Sequence, residues 1–200
     1  MAKKTGEKYQ AIIEAAVKVI AENGYHNAQV TKIAREANVA DGTIYLYFDS
    51  KEDILISLFH EKMGRFIQDS RERILKAQTA SDKLRQLINN HFRHLSVNVE
   101  FAYVTQVELR QSNPKIRQGI RQSIKDYLRL IDEVVEFGIQ EEVFRNDIPL
   151  FTIRKMVFGT LDESVTSWIM NDRKYDLLAL ADPIHSLFIG ALSGANKHNT

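Results

Sequence analysis

The sequence predicts an all-α protein, with a three-helix N-terminal module followed by a larger helical body and about nine helices in total. Three observations carry that prediction. Apolar residues recur at the three- and four-residue spacing of a helix face along most of the 200 residues. No segment shows sustained strict alternation, so strands are not expected. Helix breakers are sparse: the three prolines all lie in the second half and the nine glycines stand singly.

Each element follows from its own pattern. Ile12, Ile13, Ala16, Val17, Val19 and Ile20 form one stripe, which Asn23-Gly24 should end with a left-handed cap. Ile33, Ala34 and Ala37 mark a short second helix behind Thr31 as N-cap, ending at Asn38. A third, from Ala40 to Tyr47, turns Ile44 and Phe48 inward at an i, i+4 spacing. Ser50 then caps a long connecting helix, with Glu52 and Asp53 in its first turn and apolar positions from Ile54 and Leu55 to Ile74 and Leu75. Further helices are expected from Ser81 to Val97, from Phe101 to Gln111 (closed by Asn113-Pro114), from Pro114 to Gln140, and from Pro149 to Met170. The last runs from Asp182 to Leu192, with Asp182 as N-cap and Pro183 as its first residue. Gly194 to Thr200 reads as a polar tail. The expected partition is residues 1–50 for the module and 51–200 for the body.

Composition narrows the function. At 44% hydrophobic and 26% charged the chain can bury a real core. The absence of cysteine excludes disulfides, thiol nucleophiles and thiolate zinc sites, and a cytoplasmic location follows by default. Glu14 and Lys18 interrupt the apolar stretch Ala11 to Ala21, which a signal-peptide core would not tolerate, and no apolar run reaches the roughly 18 residues that span a bilayer. No Gly-x-Ser-x-Gly, phosphate-binding loop or dinucleotide fingerprint is present, so neither an enzyme nor a cofactor is expected. His91 and His94 stand at i, i+3, but no acidic pair repeats the spacing, and they read as surface or satisfied histidines rather than metal ligands. Asp162-Glu163 reads as a polar contact rather than a general acid. The formal net charge is +1, and the chain through Lys51 holds seven basic and six acidic residues, so bulk charge makes no case for nucleic acid. Any such case rests on placement.

The placement is informative. A helix behind Thr31, a tight break at Asn38-Val39 and a second short helix have the dimensions of a helix-turn-helix, which sets its second helix in the major groove. Asp41, Gly42 and Thr43 would stand at the start of that helix, followed by Tyr45, Leu46 and Tyr47, with Thr31 and Lys32 on the first helix and Lys51 just beyond. Gly42 lets backbone approach DNA, Thr43 suits a phosphate or a thymine methyl, and tyrosine hydroxyls suit phosphate oxygens. The plainer alternative is a three-helix cap with surface tyrosines. The run GYHNAQVTKIAREANVADGTIYLYFDSKEDIL, Gly24 to Leu55, resembles the signature of TetR-family transcriptional regulators. That resemblance implies an all-helical homodimer on double-stranded operator DNA. By position, Thr31 would touch a phosphate, Thr43, Tyr45 and Tyr47 would contact DNA, Lys51 would meet the backbone, and Ile44 and Phe48 would hold the helix to its core. Asn38 stands where the family usually has glycine, and Asp41 where a basic or small polar residue is common.

In the body, VTQVELRQSN (Val104 to Asn113) and FGTLDESVTSWIMNDRKYDLLAL (Phe158 to Leu180) resemble the branch of that family that controls fatty-acid degradation in Gram-positive bacteria. The resemblance implies release from DNA by long-chain acyl-CoA. An acyl chain needs an apolar tunnel, which Phe59, Met63, Phe66, Phe92, Phe101, Tyr103, Val104, Leu109, Met156 and Trp168 would line if they faced a common centre; each alone also fits an ordinary bundle core. Arg117, Arg121 and Lys125 fall at i, i+4, i+8, with Arg110 before them, and suit coenzyme A phosphates or form a solvated face. Leu150, Ile153, Val157, Leu161 and Trp168 form one apolar stripe, and Phe158, Val165 and Ile169 another. The second stripe, with Leu187, Phe188 and Leu192, is expected to make a two-fold four-helix dimer interface. A repressor answering to another hydrophobic ligand, or a helical ligand-binding protein without DNA function, remains the alternative.

Overall fold

The computed structural model describes residues 5–108 and 113–193, and the expected sites Leu109 and Arg110 and the tail Gly194 to Thr200 lie outside the described residues. Nine α-helices and no strand occur among the described residues. They are α1 Glu7–Asn27, α2 Val30–Glu36, α3 Asp41–Ile44, α4 Lys51–Lys76, α5 Ala80–Val97 and α6 Val99–Tyr103, then α7 Pro114–Gln140, α8 Leu150–Met170 and α9 Ala181–Leu192. A π-helical turn, Val104–Glu108, follows α6, and a 3-10 turn, Leu177–Leu180, leads into α9. Two compact units divide the chain: residues up to Gly64 with Asn98–Ser123, and Arg65–Val97 with Ile124 onward.

In the first unit, α1 buries Ile12, Ile13, Ala16 and Ile20 and packs on α2 and α6. Gly24 takes φ 73 and ψ 154, so its φ is positive as expected but its ψ is extended. The chain kinks there and runs one turn further, to Asn27, instead of stopping. Thr31 does not cap α2, because the helix has already begun at Val30 behind Gln29. Asn38 is left-handed at φ 54, a geometry asparagine tolerates because its short polar side chain bonds locally. Ser50 does cap α4, its Oγ accepting from the Asp53 N–H at 3.2 Å, while the Asp53 carboxylate accepts from the Asp49 N–H at 3.1 Å. Asn113, expected to close the preceding helix, instead starts α7: its Oδ1 accepts from the Lys115 N–H at 2.9 Å, and Pro114 takes the first helical position, where no N–H is needed.

In the second unit α5 packs against α8, α9 and the 3-10 turn. Thr79 caps α5 by accepting from the Asp82 N–H at 3.1 Å. At the end of α7 the chain reverses through Glu142 at φ 56, and the N–H groups of Val143 and Phe144 both donate to the Gly138 carbonyl, at 3.0 and 2.9 Å. The Phe144 ring lies where a Cβ on residue 138 would stand, so only glycine fits. On α8, Ile153, Val157, Leu161, Val165 and Trp168 make a single buried stripe. Val165 belongs to it rather than to the second stripe, being one i, i+4 step from Leu161, and Phe158 and Ile169 are half-buried. Asp182 is not the cap of α9. The 3-10 turn, itself capped by Asp176 accepting from the Leu178 N–H at 2.9 Å, flows straight into the helix, and the Asp182 carboxylate pairs with Arg85. Phe188 (4% exposed) and Leu192 belong to the core of this unit, so of the three residues expected at a dimer face only Leu187, 71% exposed, faces solvent. No described helix is long and apolar enough to cross a membrane.

Candidate nucleic-acid interface

The first unit builds a helix-turn-helix. After α2, the Ala37 N–H donates to the Ile33 carbonyl (2.9 Å) and the Val39 N–H to the Ala34 carbonyl (3.0 Å), closing the left-handed turn at Asn38. Ala40 is extended at ψ 147 and opens α3 without a side-chain cap. The helix is shorter than expected. It ends at Ile44, and Tyr45 to Tyr47 form turns held by Leu46 N–H on the Thr43 carbonyl (3.2 Å) and Tyr47 N–H on the Ile44 carbonyl (3.0 Å). Ile33 and Ala34 from α2, with Ile44 and Phe48 from the second segment, are all buried and fix the two pieces to each other.

That anchoring leaves a defined outer face. Tyr45 and Leu46 are 62% and 66% exposed, Asp41 and Gly42 are exposed, and Thr43 and Tyr47 are half-buried. A Cβ on Gly42 would meet nothing, so the backbone there is open to close approach. Thr31, Arg35, Asn38, Val39, Ala40 and Asp41 line an open groove between α2 and α3. Arg35 was not singled out by the sequence pattern, although its i, i+4 relation to Thr31 puts both on one face of α2.

Charge near this face is already organised. Lys32 donates to the Asn23 side chain at 2.9 Å, and Lys18 pairs with Glu36 at 2.6 Å. The Lys51 ammonium donates to the His26 carbonyl at 2.9 Å and lies 4.7 Å from the centre of the Tyr25 ring, contacts that fix where its charge stands. Burial, and then the Glu52 carboxylate, push the Tyr25 hydroxyl up to about 12. Glu52 itself is held below the ordinary carboxylate value, first by its own backbone N–H and then by the Ser50 hydroxyl. Tyr9 from α1 stacks on Phe48 with ring centres 5.3 Å apart and also reaches Tyr47 at 6.2 Å. Burial, and then Glu61, push its hydroxyl up to about 12.

The residues expected to line a ligand tunnel fall into both units. Phe59 and Phe101 meet at 6.4 Å in the first, where Met63 and Val104 are also buried, Tyr103 is half-buried, and Arg117 and Arg121 stand exposed without a carboxylate partner among the described residues. In the second, Phe66, Phe92 and Trp168 are buried and Met156 is half-buried. The indole N–H of Trp168 donates to the Tyr175 carbonyl at 2.9 Å, fastening the end of α8. Lys125 borders a surface of mixed sign with Arg129, Asp132, Glu133 and Arg154, so the basic stripe does not continue along α7. His91, one of the two histidines considered for a metal, is 5% exposed and its Nδ1 lies 2.7 Å from the Tyr127 hydroxyl. Burial drives its pKa down to about 3, so the ring is neutral. No group of three or more potential metal ligands occurs among the described residues.

Comparison with known proteins gives this geometry a context. Residues 12–58 match the family described as bacterial regulatory proteins, tetR family, and residues 59–191 match the YsiA-like protein C-terminal region. The chain is 51% identical over 190 residues to the fatty acid metabolism regulator protein of Bacillus subtilis (strain 168), which spans 95% of this chain and 98% of that protein. Among solved structures, the transcriptional regulator FadR from Bacillus subtilis in complex with stearoyl-CoA has a TM-score of 0.89 and 52% identity, over 92% of this chain and 99% of that one. The fatty acid degradation regulator FadR from Bacillus halodurans gives the same TM-score, identity and coverage.

Proposed function

Because the chain belongs to the TetR family of bacterial transcriptional regulators, we propose that it is a cytoplasmic repressor of fatty-acid degradation genes. It binds a palindromic operator as a homodimer and leaves it when long-chain acyl-CoA fills its helical body. The observation that carries this reading is the 51% identity to a fatty acid metabolism regulator across 95% of the chain, module and body alike. The stearoyl-CoA bound to the similar regulator supports the ligand class. One helix-turn-helix buries little surface, so two, held about 34–36 Å apart, read an inverted repeat. Thr31, Lys32, Asp41, Gly42, Thr43, Tyr45, Leu46, Tyr47 and Lys51 supply the contacts. Phosphate contacts position the module, and the start of α3 reads base edges.

A ligand shifts a conformational equilibrium only by its differential affinity for the two states, so the effector binds the form released from DNA more tightly. The acyl chain supplies most of that affinity, at about 0.8 kcal/mol per buried CH₂, which makes stearoyl-CoA stronger than octanoyl-CoA by up to about 8 kcal/mol. Arg117 and Arg121 are exposed cations, without a carboxylate partner among the described residues, of the kind the coenzyme A phosphates require. A gel-shift titration tests the reading. Long-chain acyl-CoA dissociates the protein from its operator, octanoyl-CoA and free coenzyme A do so poorly, and Arg117→Glu blunts the response while DNA binding persists. Operator binding that survives saturating long-chain acyl-CoA refutes the effector, and no binding to any duplex refutes the repressor.

A further inference from the structure

The interior of the second unit holds a polar atom that its own packing leaves unanswered. His91 lies on α5 among Phe66, Phe92 and Tyr127, at ring-centre distances of 5.9, 5.8 and 5.7 Å, and its Nε2 is buried without a hydrogen-bond partner. A neutral imidazole carries one N–H, so two tautomers are available. If Nδ1 were the donor to Tyr127, both the tyrosine proton and the Nε2 lone pair would be stranded. If Nδ1 accepts from the Tyr127 hydroxyl, 2.7 Å away, only one vacancy remains, an N–H donor at Nε2. The Phe66 ring, inclined at 66° to the imidazole with centres 5.9 Å apart, offers that donor at most a weak N–H···π contact. A leucine here with a phenylalanine at position 127 would pack without any vacancy, so the histidine–tyrosine pair calls for an explanation outside the packing itself.

An acyl-CoA has many acceptors, but only the thioester carbonyl is bonded directly to the apolar chain, so it is the one drawn deepest when the chain is buried. We propose that the Nε2–H of His91, with its tautomer set by Tyr127, receives the thioester carbonyl of the bound effector. His91 thereby selects acyl thioesters over ligands of equal hydrophobicity that lack the carbonyl. The inference rests on the reading of this protein as an acyl-CoA-responsive regulator, and it adds a specificity-determining residue to that reading.

The test pairs palmitoyl-CoA with S-hexadecyl-CoA, a thioether with the same chain and no carbonyl, by isothermal titration calorimetry on the full chain. The wild type binds the thioester about tenfold more tightly, the difference one well-made hydrogen bond supplies. His91→Leu binds both alike, at the wild-type affinity for the thioether, but it strands the buried Tyr127 hydroxyl. The double variant His91→Leu/Tyr127→Phe, which removes both groups, is therefore the one that melts no lower than the wild type, and it also binds both alike. Tyr127→Phe keeps the ring packing but frees the tautomer, so it lowers the preference by about twofold while His91→Leu abolishes it. Equal wild-type affinity for the two ligands, or a parallel loss of both in His91→Leu, overturns the inference while leaving the functional reading intact. A wild type that binds neither ligand overturns both.

Discussion

Replacing Tyr45 by alanine separates recognition from framework within four residues of chain. The ring is 62% exposed, so its loss removes little buried area and changes unfolding free energy by no more than about 0.5 kcal/mol. On DNA the same ring would be a contact of the second motif segment, and its removal costs about 1–3 kcal/mol of binding, or about 5- to 150-fold in affinity. Phe48 has the opposite profile: it is 1% exposed and stacked on Tyr9 at 5.3 Å. Phe48→Ala opens a cavity under the recognition segment and costs about 3–5 kcal/mol, which lowers the melting temperature of a chain this size by about 6–20 °C. Fluorescence anisotropy on a duplex selected from random sequence by the wild type measures the first effect, and calorimetric melting measures the second. The reasoning fails if Tyr45→Ala binds like the wild type, or if its melting falls as far as that of Phe48→Ala.

Three other changes have defined outcomes. Leu187→Glu, at a position 71% exposed, should give a normally melting monomer without operator affinity, whereas Phe188→Glu, at 4% exposed, should fail to fold; light scattering that still finds a dimer in Leu187→Glu places the interface elsewhere. His91 has a folded pKa near 3 against an ordinary 6.5, so the unfolded chain binds more protons below 6.5. Stability from this group is therefore fully present above pH 6.5 and falls by about 1.4 kcal/mol per pH unit below it, and His91→Leu should flatten the acid limb of a denaturation series by that slope. Gly138→Ala should drive the Phe144 ring from its seat and cost about 1–3 kcal/mol, and an unchanged urea midpoint refutes that account.

The elements that local periodicity specifies were legible in the sequence, and those that depend on distant partners were not. The stripe of α1, the Ser50 cap and the inward Ile44 and Phe48 follow from spacings of three or four residues, and the structure has them. Asp182-Pro183 carries every local sign of a helix start, but the preceding 3-10 turn supplies the entry and a side chain 97 residues away takes the carboxylate. His91 and His94 looked alike as an i, i+3 pair until Tyr127, 36 residues on, met one of them. Phe188 and Leu187 are neighbours in an apolar run, and hydrophobicity alone could not say which turns inward; the packing of α9 on α5 does. On the outer face of the helix-turn-helix, Tyr45 and Leu46 are exposed while Thr43 and Tyr47 are half-buried, and the docking of Lys51 on His26 and Tyr25 carries no sequence signal, because the acceptor is a main-chain carbonyl.

The stack of Tyr9 on Phe48 has a practical consequence for anyone handling the protein. The recognition segment rests on a ring that arrives from the far N-terminal end of the chain. A proteolytic nick just after Tyr9, or a truncated clone that starts at Gln10, strips the cover from Phe48 while sparing every residue of the helix-turn-helix. Such a preparation would still look helical by circular dichroism, because the loss is one turn of α1. It would nevertheless score as a dead repressor. Intact mass therefore belongs beside every negative DNA-binding result, and affinity tags are better placed at the other end.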